Sequence, residues 1–158
     1  MTIAFSRSDE APASEANMSA PIYCVRVPAS TSNCGPGFDT LGLAFQLYNE
    51  VIVARRDDGA IRYAGDDARF QKQEQAMIEE IAGTFFERSG VEPFGFSFEI
   101  RGEVPLARGL GSSVTVRAGV LAGLNAIAGD PLDRRAIAEL VTELEGHPDN
   151  AVAAVFGG

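Results

Sequence analysis

The chain reads as an α+β domain, a mixed or antiparallel sheet covered by helices. Three observations predict this. Strand-like runs fill the first part of the chain and helical periodicities the last, with one helix set between strands, the order expected when helices gather over a sheet. The length of 158 residues suits one domain. An apolar fraction of 46% with 22% charged residues is ordinary for a soluble globular chain.

Residues 1–20 are rich in Ala, Ser and Glu and lack an apolar core of signal-peptide length. The composition predicts a disordered extension there, followed by a folded unit over 21–158. Alternation over residues 22–27 predicts a first strand, ended by Pro28. The Ser/Thr/Asn/Gly/Pro cluster over 30–37 has the composition of a loop. Residues 48–54 form a second strand, and Arg55-Arg56-Asp57-Asp58-Gly59 reads as a hairpin-like turn into a strand over 61–64. Over 71–89, Met77, Ile78, Ile81, Ala82 and Phe85 recur at helical spacing, and Gly90 stands where a C-terminal cap belongs. Phe94, Phe96, Phe98 and Ile100 alternate with Gly95, Ser97, Glu99 and Arg101, which is a half-buried strand. A helix over 114–128 stops near Gly129. Asp133 caps a helix over 134–145, and a short helix over 150–156 follows.

Between the phenylalanine strand and the 114–128 helix lies Pro105-Leu106-Ala107-Arg108-Gly109-Leu110-Gly111-Ser112-Ser113. Strand, glycine-serine turn, helix is the order that leaves backbone N–H groups free at a helix N-terminus, where the dipole favours an anion such as phosphate. Glycines let the backbone come close, and serine hydroxyls can donate to phosphate or bind Mg²⁺. The same residues also make ordinary loops and caps, so the stretch alone leaves both readings open. No lysine follows the glycines as a Walker A loop requires, and the third glycine of a dinucleotide fingerprint is missing.

Two further stretches narrow the choice. Val27-Pro28-Ala29-Ser30-Thr31-Ser32-Asn33-Cys34-Gly35-Pro36-Gly37-Phe38-Asp39-Thr40-Leu41-Gly42-Leu43 comes before the glycine turn, and Glu145-Gly146-His147-Pro148-Asp149-Asn150 comes after it. Together with Pro105-x-x-x-Gly109-Leu110-Gly111-Ser112-Ser113, they resemble the motifs of the GHMP kinases, in particular the homoserine kinases, and stand in that family's order.

The resemblance implies the N-terminal, ATP-binding domain of that fold, with ATP and Mg²⁺ as cofactors and L-homoserine as the phosphoryl acceptor in threonine biosynthesis. Pro105, Arg108, Gly109, Leu110, Gly111, Ser112 and Ser113 would hold the nucleotide phosphates. In the family a Glu two helical turns before the His of the His-x-Asp-Asn motif binds Mg²⁺ with a loop serine. Eight residues separate Glu139 from His147, so Glu139 and Ser113 are implied as metal ligands. On pattern alone Glu139 is a residue of a solvated helix face. Asn33, Asp39, His147 and Asn150 would line the amino-acid pocket, with Asp39 neutralising the ammonium. Asn150 would sit by the reacting hydroxyl, and Asp149 is the candidate general base. The lone His147, read without the family, is a turn residue. A Ser113, His147 and Asp149 hydrolase triad lacks its Gly-x-Ser-x-Gly elbow.

Some features depart from the family. Val114-Thr115 stands where alanines are usual and Cys34 where Leu is common, both near-isosteric changes. The family also carries a second domain, with arginines for the substrate carboxylate, and nothing in residues 1–158 replaces it. An incomplete kinase, with an exposed apolar face that drives dimers or other association, is therefore expected. The alternatives are another GHMP kinase acting on a sugar or mevalonate-like alcohol, and a non-catalytic nucleotide-binding remnant.

A net charge of −9 disfavours nucleic acid or an anionic membrane as partner. No run has transmembrane length, and Cys24 and Cys34 make neither a zinc spacing nor a disulfide framework. Reduced thiols in the cytoplasm are the expectation.

Overall fold

Strands β1 (Ala4–Ser8), β2 (Ile22–Thr31), β3 (Leu43–Arg56), β4 (Ile61–Tyr63) and β5 (Gly95–Gly102) and helices α1 (Phe70–Ser89), α2 (Ser112–Ile127), α3 (Arg134–Glu145) and α4 (Pro148–Phe156) make up the fold. They are taken from a computed structural model that describes residues 3–8, 21–35, 41–65, 70–105 and 108–157. The strands form one sheet in the order β1-β2-β3-β5-β4. Among the described strands only the β4–β5 pair is parallel, so the sheet is mixed.

The pleat separates the layers. Val25 and Val27 of β2, Val51 and Val53 of β3, and Phe96 and Phe98 of β5 are all buried, and the register sets Val25 opposite Val51 and Val53 opposite Phe98. The helices cover this face. Ile78, Ile81 and Phe85 of α1, Leu121 and Leu124 of α2, Leu140 and Val141 of α3 and Val155 of α4 join the same core. The other face carries ion pairs, Arg26 to Glu50 at 4.0 Å and Arg101 to Glu99 at 2.5 Å.

Helix α2 is the central one. It is apolar almost all round and buried accordingly. It also approaches the sheet closely, because a Cβ on Gly119 would collide with Val51 and one on Gly123 would come within 2.6 Å of Val53 Cγ2. Since β5 leads into the turn before α2, the helix N-terminus arrives where β2 ends and β3 begins. Ser30 N donates to Leu110 O there at 3.1 Å.

Several expectations need correction. Residues 4–8 are not a free extension but an edge strand, paired from Ala4↔Arg26 to Ser8↔Ile22, and Ile3 is buried in the helix layer. Average composition hid this, because the strand gains its partner only from the folded edge of β2; residues 9–20 lie outside the described residues. Pro28 does not end β2. Among the described residues the pairing of β2 with β1 reaches Arg26, and the register slips between Pro28 and Ser30 as the strand continues to Thr31.

The 55–59 turn is not a hairpin. Its geometry comes from Asp58, which accepts from Arg56 Nε at 3.0 Å, Arg56 NH2 at 2.7 Å and Ala60 N at 3.2 Å. The Arg56 and Ala60 donors hold its carboxyl well below the usual carboxylate range. The three-residue β4 then goes to the outer edge, parallel to β5. β5, with its buried Phe96 and Phe98, takes the place beside β3. Cys24 and Cys34 are free, and no described helix is long and apolar enough to cross a membrane.

Candidate functional site

The N-terminus of α2 has the geometry of an anion cradle. Gly109 and Gly111 have φ of 70° and 65°, the left-handed region where glycine is favoured. Gly111 is the N-cap and provides no side chain, so no side-chain cap bond ties up the first N–H groups of the helix. A Cβ on Gly111 would lie 2.8 Å from Ser30 Oγ, so close packing as well as φ selects glycine. Ser112 is buried and Ser113 exposed; Pro105, Arg108 and Gly109 are exposed and Leu110 partly so.

The C-terminal end of α3 meets this cradle. Gly146, at φ 80°, closes the helix in the left-handed conformation, and extended His147 leads into Pro148 at the start of α4. That turn brings Glu145 to Ser113, whose Oγ donates to Glu145 Oε2 at 3.3 Å. The other Glu145 oxygen is held by Arg117 NH1. Glu139 is elsewhere. It pairs with Arg135 at 3.0 Å on the solvent side of α3, with its side chain 55% exposed. It stands six residues before Glu145, about 9 Å along the helix axis. The carboxylate that reaches Ser113 is that of Glu145, two residues before His147, and not that of Glu139, eight before it. Glu143, one turn from Glu139, bonds Arg88 at 2.8 Å.

The third motif meets the first at the opening of α4. Ser30, fully buried, donates from Oγ to Asn150 O at 3.1 Å and to Asn150 Oδ1 at 3.3 Å. Ser32 hydrogen-bonds the Asp149 carboxylate and is the main reason that its pKa is lowered. The Asn150 N–H, 2.9 Å from Asp149 Oδ1, adds to this. These two donors favour the ionised carboxylate and tie Asp149 to the opening of α4. His147 is exposed as the N-cap residue of α4, with no side-chain cap bond. Asn33 is exposed, its N–H accepted by Thr31 Oγ1 at 3.3 Å. Asp39 lies outside the described residues.

The structure therefore brings together the glycine turn, Ser113, Asp149 and Asn150. It leaves Glu139 apart and adds Ser30, Ser32, Glu145 and Arg117. Ser30, Ser32 and Glu145 were all inside the quoted motifs, but residue type gave no sign of their partners.

The donor set suits Mg²⁺. A hydroxyl and a carboxylate 3.3 Å apart, beside uncapped helix N–H groups, match a hard cation that keeps several waters and shares phosphate oxygens. No cluster of three His, Cys, Asp or Glu exists among the described residues, which such a cation does not need.

Residues 76–158 match the GHMP kinases N terminal domain, and the chain belongs to the GHMP kinase family. Within it, the chain is 42% identical over 139 residues to the homoserine kinase of Carboxydothermus hydrogenoformans, covering 87% of this chain and 46% of that protein. It is 39% identical over 135 residues to the homoserine kinase of Moorella thermoacetica, covering 85% and 46%. The crystal structure of homoserine kinase from Cytophaga hutchinsonii superposes with a TM-score of 0.72 at 26% identity, over 84% of this chain and 45% of that one. The chain spans about half the length of the curated relatives it matches.

Proposed function

We propose that the chain is the nucleotide-binding half of a homoserine kinase, transferring the γ-phosphoryl of ATP to the hydroxyl of L-homoserine. One observation carries the reading. A single buried residue, Ser30, joins the glycine turn to Asn150 of the His-Pro-Asp-Asn segment, its backbone N–H donating to Leu110 O and its hydroxyl to Asn150, so the phosphate cradle and the acceptor side share one frame.

The N–H groups at the start of α2 and the Gly109–Gly111 turn hold the phosphates. Ser113 and Glu145, in place of Glu139, are the metal ligands in this reading. Bound Mg²⁺ would neutralise phosphate charge. Asn33, Asp39 and His147 line the amino-acid pocket, with Asp39 paired to the substrate ammonium. Asn150 faces the reacting hydroxyl, and ionised Asp149 fixes the opening of α4 rather than taking the proton. The acceptor oxygen bonds to phosphorus, the bridging oxygen leaves with ADP, and the hydroxyl proton is released to solvent. Positioning and charge neutralisation carry such a transfer, so no strong base is needed. The net charge of −9 makes these local donors the source of anion affinity.

The test is MgATP titration of the chain, with ADP release measured against homoserine, galactose and mevalonate. We expect nucleotide binding and a homoserine-dependent rate more than about tenfold below ordinary kinase rates, because the half-site positions its substrates incompletely. Equal stimulation by the three alcohols would overturn homoserine as acceptor. No nucleotide binding would overturn the kinase reading of the chain.

A further inference from the structure

Three residues at one point of the core go against local preference. Asn49 sits inside strand β3, where Asn is disfavoured, and faces the helix layer beside Val51 and Val27. Thr115 occupies the first turn of α2, where a β-branched residue costs helix propensity. Gly102 ends β5 opposite Asn49, where glycine weakens a strand. Such agreement in breaking local rules marks a place kept for another purpose.

The contacts supply that purpose. Asn49 Nδ2 donates to Thr115 Oγ1 at 2.7 Å, and Thr115 Oγ1 donates onward to Ser112 O at 2.7 Å. Asn49 Oδ1 accepts from Val104 N at 3.2 Å. Val104 stands immediately before Pro105 and Ser112 immediately after Gly111, so one side chain holds both stems of the glycine turn. Asn49 is 5% exposed and Thr115 fully buried, so these bonds face no competition from water. Gly102 makes room, since a Cβ there would collide with Asn49 Oδ1 and approach Tyr48 O at 2.6 Å.

We infer that Asn49 and Thr115 are a positioning pair that sets the separation of the two stems, and through it the aim of the α2 N–H groups at the nucleotide phosphates. The inference rests on the reading of this turn as the phosphate site. It gives Thr115 a task that substitution by a small apolar residue could not perform.

The experiment compares Thr115→Ser, which keeps the hydroxyl, with Thr115→Val, which keeps the shape. It reads MgATP affinity, melting temperature and amide hydrogen exchange. We expect Thr115→Ser to bind MgATP as the parent does, and Thr115→Val to bind about tenfold more weakly at temperatures where both are folded. Exchange at the Val104 and Thr115 amides should rise in Thr115→Val while β2 and α3 stay protected. If Thr115→Val does not fold, the Asn49→Val/Thr115→Val double variant replaces both polar partners by apolar ones and should fold yet bind more weakly. Parent-like affinity in whichever Val variant folds would overturn the pair. A parent that binds no MgATP would sink the phosphate reading instead, and exchange would then decide the clamp. Faster exchange confined to the two stems sustains it, and a uniform rise defeats it.

Discussion

Asp149 and Glu145 show how far a carboxylate's neighbours decide its work. Both belong to one six-residue motif. Asp149 is bonded by Ser32 and by the Asn150 N–H at the start of α4, which lower its pKa. Glu145, at the end of α3, leaves one oxygen toward Ser113 while Arg117 holds the other. A serine hydroxyl makes a weak claim on a carboxylate, so this oxygen is the one a cation can take over. Glu145→Gln should therefore weaken Mg²⁺-dependent nucleotide binding by about tenfold or more, in line with the usual worth of a charge-assisted contact of about 1.5–3 kcal/mol. Glu139→Gln should leave it unchanged, since it removes only an exposed pair with Arg135. ATP titrations at fixed and at zero Mg²⁺ separate the two. A larger loss from Glu139→Gln would restore the assignment made from its spacing to His147.

The elements owe their placement to packing that residue type announces poorly. Helix α2 could be read as a helix from its Ala, Val and Leu, but its closeness to the sheet depends on Gly119 and Gly123 lying against Val51 and Val53. In an exposed helix, Gly→Ala gains about 1 kcal/mol. Here the added methyl meets the valine layer, and overpacking typically costs about 1–3 kcal/mol. Gly119→Ala and Gly123→Ala should each lower the melting temperature. Gly83→Ala in α1, where a Cβ has nothing within 4 Å, should raise it. Thermal unfolding of the three variants checks the opposite signs, and stabilisation by Gly123→Ala would mean that α2 sits farther from the sheet. β4 makes a similar point. Its composition suited a hairpin, but the buried Phe96 and Phe98 of β5 occupy the place next to β3, and three residues of β4 were left for the edge.

At the scale of the molecule, several large apolar side chains stay exposed at the start of β3 and on α4. Leu41 and Leu43 precede and begin β3, at 57% and 51% exposure, and Val152 and Phe156 lie on α4 at 47% and 43%. Leu41 and Val152 line one hollow with Pro148 and Ala153, beside the opening of α4 that holds Asp149. Exposed apolar surface drives association. We expect residues 1–158 to self-associate in light scattering, and the Leu43→Ser/Val152→Ser pair to shift the chain toward monomer without lowering its melting temperature. A parent that stays monomeric at high concentration would contradict this. The one-dimensional pattern determined a good deal by itself. Alternation and helical spacing located β5, α1, α2 and α3 within a few residues, because burying one face of each imposes a period on the sequence. The glycine turn and the two flanking motifs named the family. Other features were decided only in three dimensions: the edge strand β1, the parallel place of β4, Glu145 in place of Glu139 beside Ser113, and the link from Asn49 through Thr115 to both stems of the turn. Each depends on which distant backbone lies alongside, and a residue's own type and spacing do not carry that, because a hydrogen bond between positions 49 and 115 leaves no period in the sequence to read.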